Sequence, residues 1–324
     1  MSGTYAVEAA GIIIRGTAPL PVGAPVPRWE LPTLGVALTL YGGFALLTWF
    51  WYALPLWLSA SVGALLLAWH SSLQHETIHH HPTPLKRLNA LLGAPPLALW
   101  LPYAIYRRTH LAHHAHGGAA LTDPDGDPES HYLPAGTLAG RGAIRRRLRQ
   151  WNATLAGRLM IGPLFLVVGC WRMELQRLPA DRRSRWLWIR HGLSVALVLG
   201  WVGGVCRIPL SEYLCLMVYP SISLGLLRSF AEHRAHPISG HRTAVVEAGM
   251  FWSGLFLNNN LHAVHHRQPG LPWYRLPAVW RAIEAEIELG PEMRIRGGYA
   301  EIFRKHLFSG TGSVEHPGFD PAAA

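Results

Sequence analysis

Charge is scarce in this sequence. Only 15% of the residues are Asp, Glu, Lys or Arg, where a soluble domain carries about 25%. Half are hydrophobic, and the mean hydropathy is positive, at +0.15. Cysteine is scarce too: Cys170, Cys206 and Cys215 form no metal-type pair and read as small core residues in a reducing or lipid setting. Residues 1–27 lack a basic stretch running directly into an apolar core, so no signal peptide is expected there. Pro19, Pro21, Pro25 and Pro27 suggest a loose lead-in instead. These absences exclude a disordered chain, a secreted disulfide scaffold and an ordinary cytosolic domain.

The charge deficit has a location. From Leu31 through His75 there is no Asp, Glu, Lys or Arg. At roughly 1.5 Å per helical residue, that length crosses a hydrocarbon core of about 30 Å twice. Pro55 marks a turn between spans at 34–52 and 56–74. Apolar stretches at 186–206 and 209–230 predict a second pair. The stretch 88–106 is interrupted by Pro95, Pro96 and Pro102, which predicts a pair of short re-entrant or interfacial helices. Segments 159–171 and 248–261 are expected along the interface. The fold class is therefore all-α and integral to a membrane, with four spans in two hairpins and a cytosolic helical cap from 75–185 and 231–310. Residues 1–30 are expected as a flexible lead-in, 31–310 as one domain and 311–324 as a flexible tail. Spacing of Val279, Ile283 and Ile287 predicts a helix over 277–289, stopped by Gly290-Pro291.

The formal net charge is +10, which in isolation would suggest nucleic acid. The arginines argue otherwise. Arg141, Arg145, Arg146, Arg147 and Arg149 form one cluster, and Arg172, Arg177, Arg182, Arg183 and Arg185 another. The turn between the first two spans has no charge, and the turn near 207–209 has only Arg207. The positive-inside rule puts both clusters, with both termini, on the cytoplasmic side of an inner or plasma membrane. The excess charge then reflects topology and anionic lipid contact, with no nucleic-acid partner.

Histidine is what the sequence has in abundance: it occurs 19 times. The residues cluster as HETIHHH at 75–81, HLAHH at 110–114, EHRAH at 232–236 and HAVHH at 262–266. Helical residues three and four apart share a face, so His75 pairs with His79, His110 with His113 and His114, and His262 with His265 and His266. So many imidazoles beside lipid are costly without a shared partner, and neutral imidazole is the commonest metal ligand. A multi-histidine metal site follows. His75-Glu76-Thr77-Ile78-His79 also spells HExxH, the zinc-protease pattern, which leaves HLAHH and HAVHH idle. A non-catalytic metal transporter would need polar groups deep in the spans, and they carry essentially none.

The three boxes, with YRRTHLAHH at 106–114, FAEHR at 230–234 and NNNLHAVHHRQPGLPWYRLP at 258–277, resemble the integral-membrane fatty acid desaturase family. That family includes related hydroxylases and carotenoid-modifying enzymes, and the resemblance runs from about residue 50 to 280. It implies four spans under a cytosolic cap holding two irons almost wholly by histidine. Carried over by position, His75, His79, His110, His113, His114, His262, His265 and His266 match the boxes, and His233 matches an additional histidine after the last span. His80 is a further possible ligand at a five-residue spacing from His75. Nine imidazoles exceed what one ion holds, so two ions follow; spacing leaves their identity open, and iron rests on the resemblance.

The resemblance further implies an O2-dependent oxidase acting on an unactivated C–H bond of a lipid hydrocarbon chain. Fatty acyl desaturation is the leading reading. Hydroxylation or ketolation of a fatty acyl, alkane, terpenoid or carotenoid substrate is the alternative. Electrons must come from a separate ferredoxin, rubredoxin or cytochrome, because no segment reads as a redox domain. Glu76, Glu232, Asp123, Asp127, Asn258 and Asn259 are the candidates to orient the rings from behind. The stretch TDPDGDPE at 122–129 is no calcium loop, since Pro128 replaces the turn glycine.

Overall fold

The structure, a computed structural model, describes residues 13–14 and 26–319. It is dominated by helices. In chain order these are α1 (Leu31–Trp49), α2 (Leu56–Ile78), α3 (Lys86–Gly93) and α4 (Tyr103–His113). Next come α5 (Ala143–Asn152), α6 (Leu155–Met160) and α7 (Gly162–Arg177). Two long helices follow, α8 (Arg182–Val205) and α9 (Leu210–Glu232). Four short ones finish the chain: α10 (Met250–Leu255), α11 (His262–Arg267), α12 (Leu276–Ile283) and α13 (Gly298–His306). Four two-residue strands accompany them, β1 (Ile13–Ile14), β2 (Val245–Val246), β3 (Ile287–Glu288) and β4 (Arg294–Ile295). β1 pairs antiparallel with β3, and β2 parallel with β4.

Helices α1, α2, α8 and α9 are long and apolar enough to cross a membrane. Their outward faces confirm what covers them. Leu38, Leu46, Trp57, Leu193 and Leu197 are each more than 60% exposed, an arrangement suited to lipid and not to water. The helix limits differ slightly from those expected. α1 stops at Trp49, where a single turn over Trp51–Ala53 leads into Pro55. α2 continues to Ile78, so the first histidine box lies on the helix and not beyond it.

The chain divides into two compact units. The first, Arg28–Arg108 with Leu159–Leu226, contains the apolar helices. Leu40, Phe44, Leu67, Leu73, Tyr213 and Met217 form its buried interior. Polar groups near the ends of its long helices are paired internally, as an apolar surrounding favours. The Trp51 indole donates to Glu212 at 2.9 Å, the Trp201 indole to the Thr48 hydroxyl at 2.9 Å, and the Tyr52 hydroxyl to the Arg207 carbonyl at 3.1 Å. Together these bonds tie the end of α1 and the turn after it to the end of α8, the 206–209 turn and the start of α9. At the start of α1, buried Glu30 meets His81 at 2.5 Å, and its N–H donates to the Pro82 carbonyl at 3.0 Å. The beginning of α1 and the end of α2 are thereby tied. The stretch 88–106 is, as expected, two short helices flanking prolines.

The second unit comprises Thr109–Arg158 and the chain from Leu227 onward, with the N-terminal segment. Val245, Leu261, Ala263, Val264, Leu271, Leu276, Val279, Trp280 and Ile283 form its apolar core under α11 and α12. α12 ends at Ile283, not near 289. The sequence AIEAEIE has helical propensity, but tertiary pairing overrides it: Ile287 and Glu288 extend to pair with β1, and Arg294 donates to the Glu284 carbonyl at 3.2 Å. Residues 311–319, which polarity alone assigns to a flexible tail, carry defined hydrogen bonds. Leu133 donates to the Val314 carbonyl at 2.9 Å, and His316 to the Leu133 carbonyl at 2.8 Å. The remainder of that tail, and most of the lead-in, lie outside the described residues.

Gly157, in α6, is a position where packing admits no side chain. A Cβ there would lie 1.9 Å from the Trp151 carbonyl oxygen, and backbone cannot yield as a side-chain tip can. Gly157→Ala should therefore destabilise the protein by about 1–3 kcal/mol, read as a lower thermal midpoint in detergent; an unchanged midpoint would contradict this packing.

Candidate metal centre

The second unit gathers seven histidines from three places in the chain. α4 supplies His110 and His113, with His114 directly after its end. α9 is followed at once by His233, which an isolated bridge to Thr243 holds in place. α11 supplies His262, His265 and His266. Just before α11, Leu257 and Asn258 adopt left-handed backbone, with φ of 46° and 55°. That conformation is uncommon for any residue but glycine and disfavoured for leucine. It breaks the chain between α10 and α11 and starts the third box in a new direction.

His113, His233, His262 and His266 form one group, their ligand nitrogens all within 4.8 Å of one another. His113 Nε2 lies 3.1 Å from His233 Nε2 and 3.2 Å from His266 Nε2. His262 Nε2 lies 2.9 Å and 3.1 Å from the same two atoms. A second group runs through His110, His114 and His265, with Nε2–Nε2 distances of 3.2 and 3.1 Å.

Groups behind the rings decide what these contacts are. His113 Nδ1 donates to Asp127 at 2.8 Å, and His262 Nδ1 to the Asn259 carbonyl oxygen at 3.1 Å. Asn259 in turn donates to Glu232 at 3.1 Å, which fixes its amide orientation. A neutral imidazole has one N–H. His113 and His262 have spent theirs on Nδ1, so both present a bare Nε2 lone pair. Each faces His233 and His266, which together have at most two protons for the four contacts. Lone pairs are left facing lone pairs. A cation at their centre resolves every contact at once, so the donor set fits a metal ion. In the second group His110 repeats the pattern, with Nδ1 3.1 Å from Glu129.

Electrostatics favour neutral rings at three of the four positions. Burial, then the neighbouring imidazoles, hold His233, His262 and His266 well below the usual histidine range. Burial lowers His113 as well, but its bond to Asp127 and the charges of Glu129, Asp127 and Glu232 push it up on balance. Burial works against the Glu129 charge, yet His110, with His113 and His114, pulls its carboxyl down to about 2.

The residues expected to orient the rings divide. Asp127, Glu232 and Asn259 do so. Asp127 is well built for it: its two oxygens also accept from the Thr122 and Glu129 amides at 3.0 and 2.9 Å. Asp123 instead accepts from the Asp125 amide at 2.9 Å, and Asn258 donates to the Trp273 carbonyl at 3.0 Å. Glu76 Oε1 is 3.8 Å from His75 Nδ1, beyond hydrogen-bond reach. Glu129, within the TDPDGDPE stretch, was not singled out by sequence; its place two residues after Asp127 was the available signal.

In the first unit His75 and His79 occupy the end of α2, both buried, with ring centres 5.0 Å apart. His80 follows in left-handed backbone, φ 74°, with its side chain exposed. His81 is turned to Glu30. His70 is buried and packs edge-on against Tyr41. The His236 and His241 rings meet at a tilt of 56°, with centres 5.0 Å apart.

The model of the fatty acid desaturase family matches residues 49–296, well over half the chain. The chain belongs to that family. No curated protein matches it. Membership and four membrane-length apolar helices make this desaturase-family protein an integral membrane oxidoreductase of the lipid desaturase and hydroxylase type. The family is known for metal use, and the chain's histidine groups could hold a metal ion.

If Asp127 and Glu129 orient metal ligands, Asp127→Ala and Glu129→Ala should each weaken metal retention about 10–100-fold, whereas Asp123→Ala should leave it unchanged. Metal remaining per chain after dialysis against graded chelator measures this; equal retention in all three variants would refute the assignment.

Proposed function

We propose that this protein is an O2-dependent di-iron oxidase that acts on an unactivated C–H bond of a lipid hydrocarbon chain, with fatty acyl desaturation as its reaction. The observation that carries the reading is the four-ring group of His113, His233, His262 and His266, whose facing lone pairs have no arrangement of protons that satisfies them. His110, His114 and His265 supply three ligands for a second ion. That group is short of a full set, and we assign its remaining ligands to His75 and His79 of the first box. His80 is left out because it is exposed.

No protein side chain removes hydrogen from an alkyl carbon by acid–base chemistry, so the reaction needs a redox-active centre. A bound iron pair would supply O2-dependent oxidation. The chain's own part is to position. Asp127, Glu129 and the Glu232–Asn259 pair hold the Nδ1–H tautomers of three rings, His113, His110 and His262, leaving Nε2 free to ligate. His110, His113, His262, His265 and His266 are buried, which limits water at the centre.

Arg141–Arg149 and Arg172–Arg185 support an orientation with the histidine unit cytoplasmic and the 50–55 and 206–209 turns outside. The same side would receive electrons from a separate ferredoxin, rubredoxin or cytochrome. An HExxH protease is disfavoured on specific grounds: such a site needs one ligand beyond His75 and His79, and seven further imidazoles converge in this chain without them.

Expression in cells under oxygen, followed by lipid and pigment profiling, tests the reaction. New double bonds that depend on oxygen and vanish in His262→Ala and His113→Ala, with both variants still in the membrane, are the expected result. An oxygenated product in place of the alkene would assign the hydroxylase or ketolase activity. Retained turnover in either variant would remove that residue from the centre.

A further inference from the structure

Arg158 is a buried cation without a counterion. It lies in α6 and is 9% exposed. Its Nε donates to the Asn152 carbonyl at 3.1 Å, and its guanidinium carbon lies 6.0 Å from the centre of the Phe230 ring. Among the described residues no carboxylate pairs with it. A charge removed from water in this way is strongly unfavourable unless something of opposite sign meets it. Two other arginines of this unit show what usually meets such a group: Arg228 pairs with Glu232 at 2.9 Å, and Arg242 donates to the carbonyls of Ala119 and Leu121, each at 3.0 Å.

What Arg158 faces is a pocket open on one side. Arg149, Asn152, His131, Thr311 and Ser313 line it with Arg158, and no Asp or Glu does. Beside the apolar Leu133, Ala153, Phe230 and Val314, its polar side chains are two guanidiniums, two hydroxyls, an amide and an imidazole, all of which can donate. The loop that brings Thr311 and Ser313 to the wall is fixed by the Leu133–Val314 bond, and Gly312 at φ 146° permits its turn. Burial, followed by the charges of Arg158 and Arg234, holds His131 down at about 3, consistent with a positive interior.

We propose that this pocket binds a phosphate-type oxyanion, with the Arg158 guanidinium as the fork that grips it and Arg149 as a second cation. A planar guanidinium matches two oxygens of a phosphate at once, and two cations with two hydroxyls suit a dianion better than a single carboxylate. None of the residues lining the pocket is one of the histidines of the metal groups, and the proposal does not depend on their reading. Helix α5, which contributes Arg149 and Asn152, exposes Ile144, Leu148 and Trp151 on one face beside Arg145, Arg146 and Arg147. Such a helix suits an anionic lipid surface. The phosphate is therefore either that of a lipid headgroup or that of a soluble phosphorylated molecule.

The test uses the full-length protein in maltoside detergent, titrated with inorganic phosphate against chloride at equal ionic strength and followed by thermal unfolding. Phosphate should raise the midpoint of the wild type. Arg158→Gln should weaken the apparent affinity about tenfold, the scale of one lost charge-assisted bond, with Arg158→Lys in between and bound metal unchanged. Should Arg158→Gln fail to fold, the more exposed Arg149→Gln decides by the same readout. Added phosphatidic acid that competes with phosphate in the wild type assigns the headgroup source, and failure to compete assigns a soluble one. Absence of a phosphate-specific shift, or equal shifts in wild type and variants, would overturn the proposal.

Discussion

A neutral imidazole has a single proton, and this structure spends it on the side away from the centre. Asp127 and Asn259 take the Nδ1 protons of His113 and His262, and Glu129 faces that of His110. What is left on the inner side is a set of lone pairs at about hydrogen-bond distance with too few protons to share. Much else in the second unit serves that arrangement. The 122–129 loop wraps two backbone amides onto Asp127 so that the carboxylate cannot swing away. The left-handed pair Leu257-Asn258 and the β2–β4 pairing set the start of α11. Apolar packing of Val264, Leu276, Val279 and Trp280 then locks that helix from behind.

The apolar unit obeys a different constraint. A helix facing lipid can expose leucine freely but must satisfy its polar atoms from within. Trp51 with Glu212, Trp201 with Thr48, and Glu30 with His81 do this at the ends of the long helices, where the backbone also begins to lose its own partners. α8 illustrates the other half of the rule: only 11% of its most apolar window is buried within the protein, so its stability depends on a surrounding that is itself apolar.

Much of this was readable in advance because it rests on periodic or compositional signals. A run without charge marks the membrane helices whatever they pack against, and imidazoles at i, i+3 and i+4 share a face in any helix. The proline-broken segment 88–106 and the joint placement of HLAHH, His233 and HAVHH followed from such local rules. Failures arose where long-range contact decides. Ile287 pairs with Ile14, and Glu288 with Ile13, across most of the chain, which no local spacing reveals, so the helical spacing overstates the length of α12. Residues 311–319 look polar and loose, yet Leu133 and Thr122 receive them. Among acidic residues, composition could not separate Asp127 and Glu129, which face rings, from Asp123, which caps its own turn.

Arg158 belongs to the same class of feature. Its number in the sequence places it beside a basic cluster of mostly exposed arginines; only its burial, away from any carboxylate, distinguishes it from them. Charge that the membrane accounts for and charge that requires a ligand are told apart by solvent exposure alone.

The central claim is that imidazoles alone hold two ions in one chain. Elemental analysis of the full-length protein, purified from iron-supplied cells without chelators, tests it most directly. Two irons per chain, falling together when His113 or His262 is removed, is the result expected. A single zinc per chain, or no retained metal in a folded protein, would contradict it.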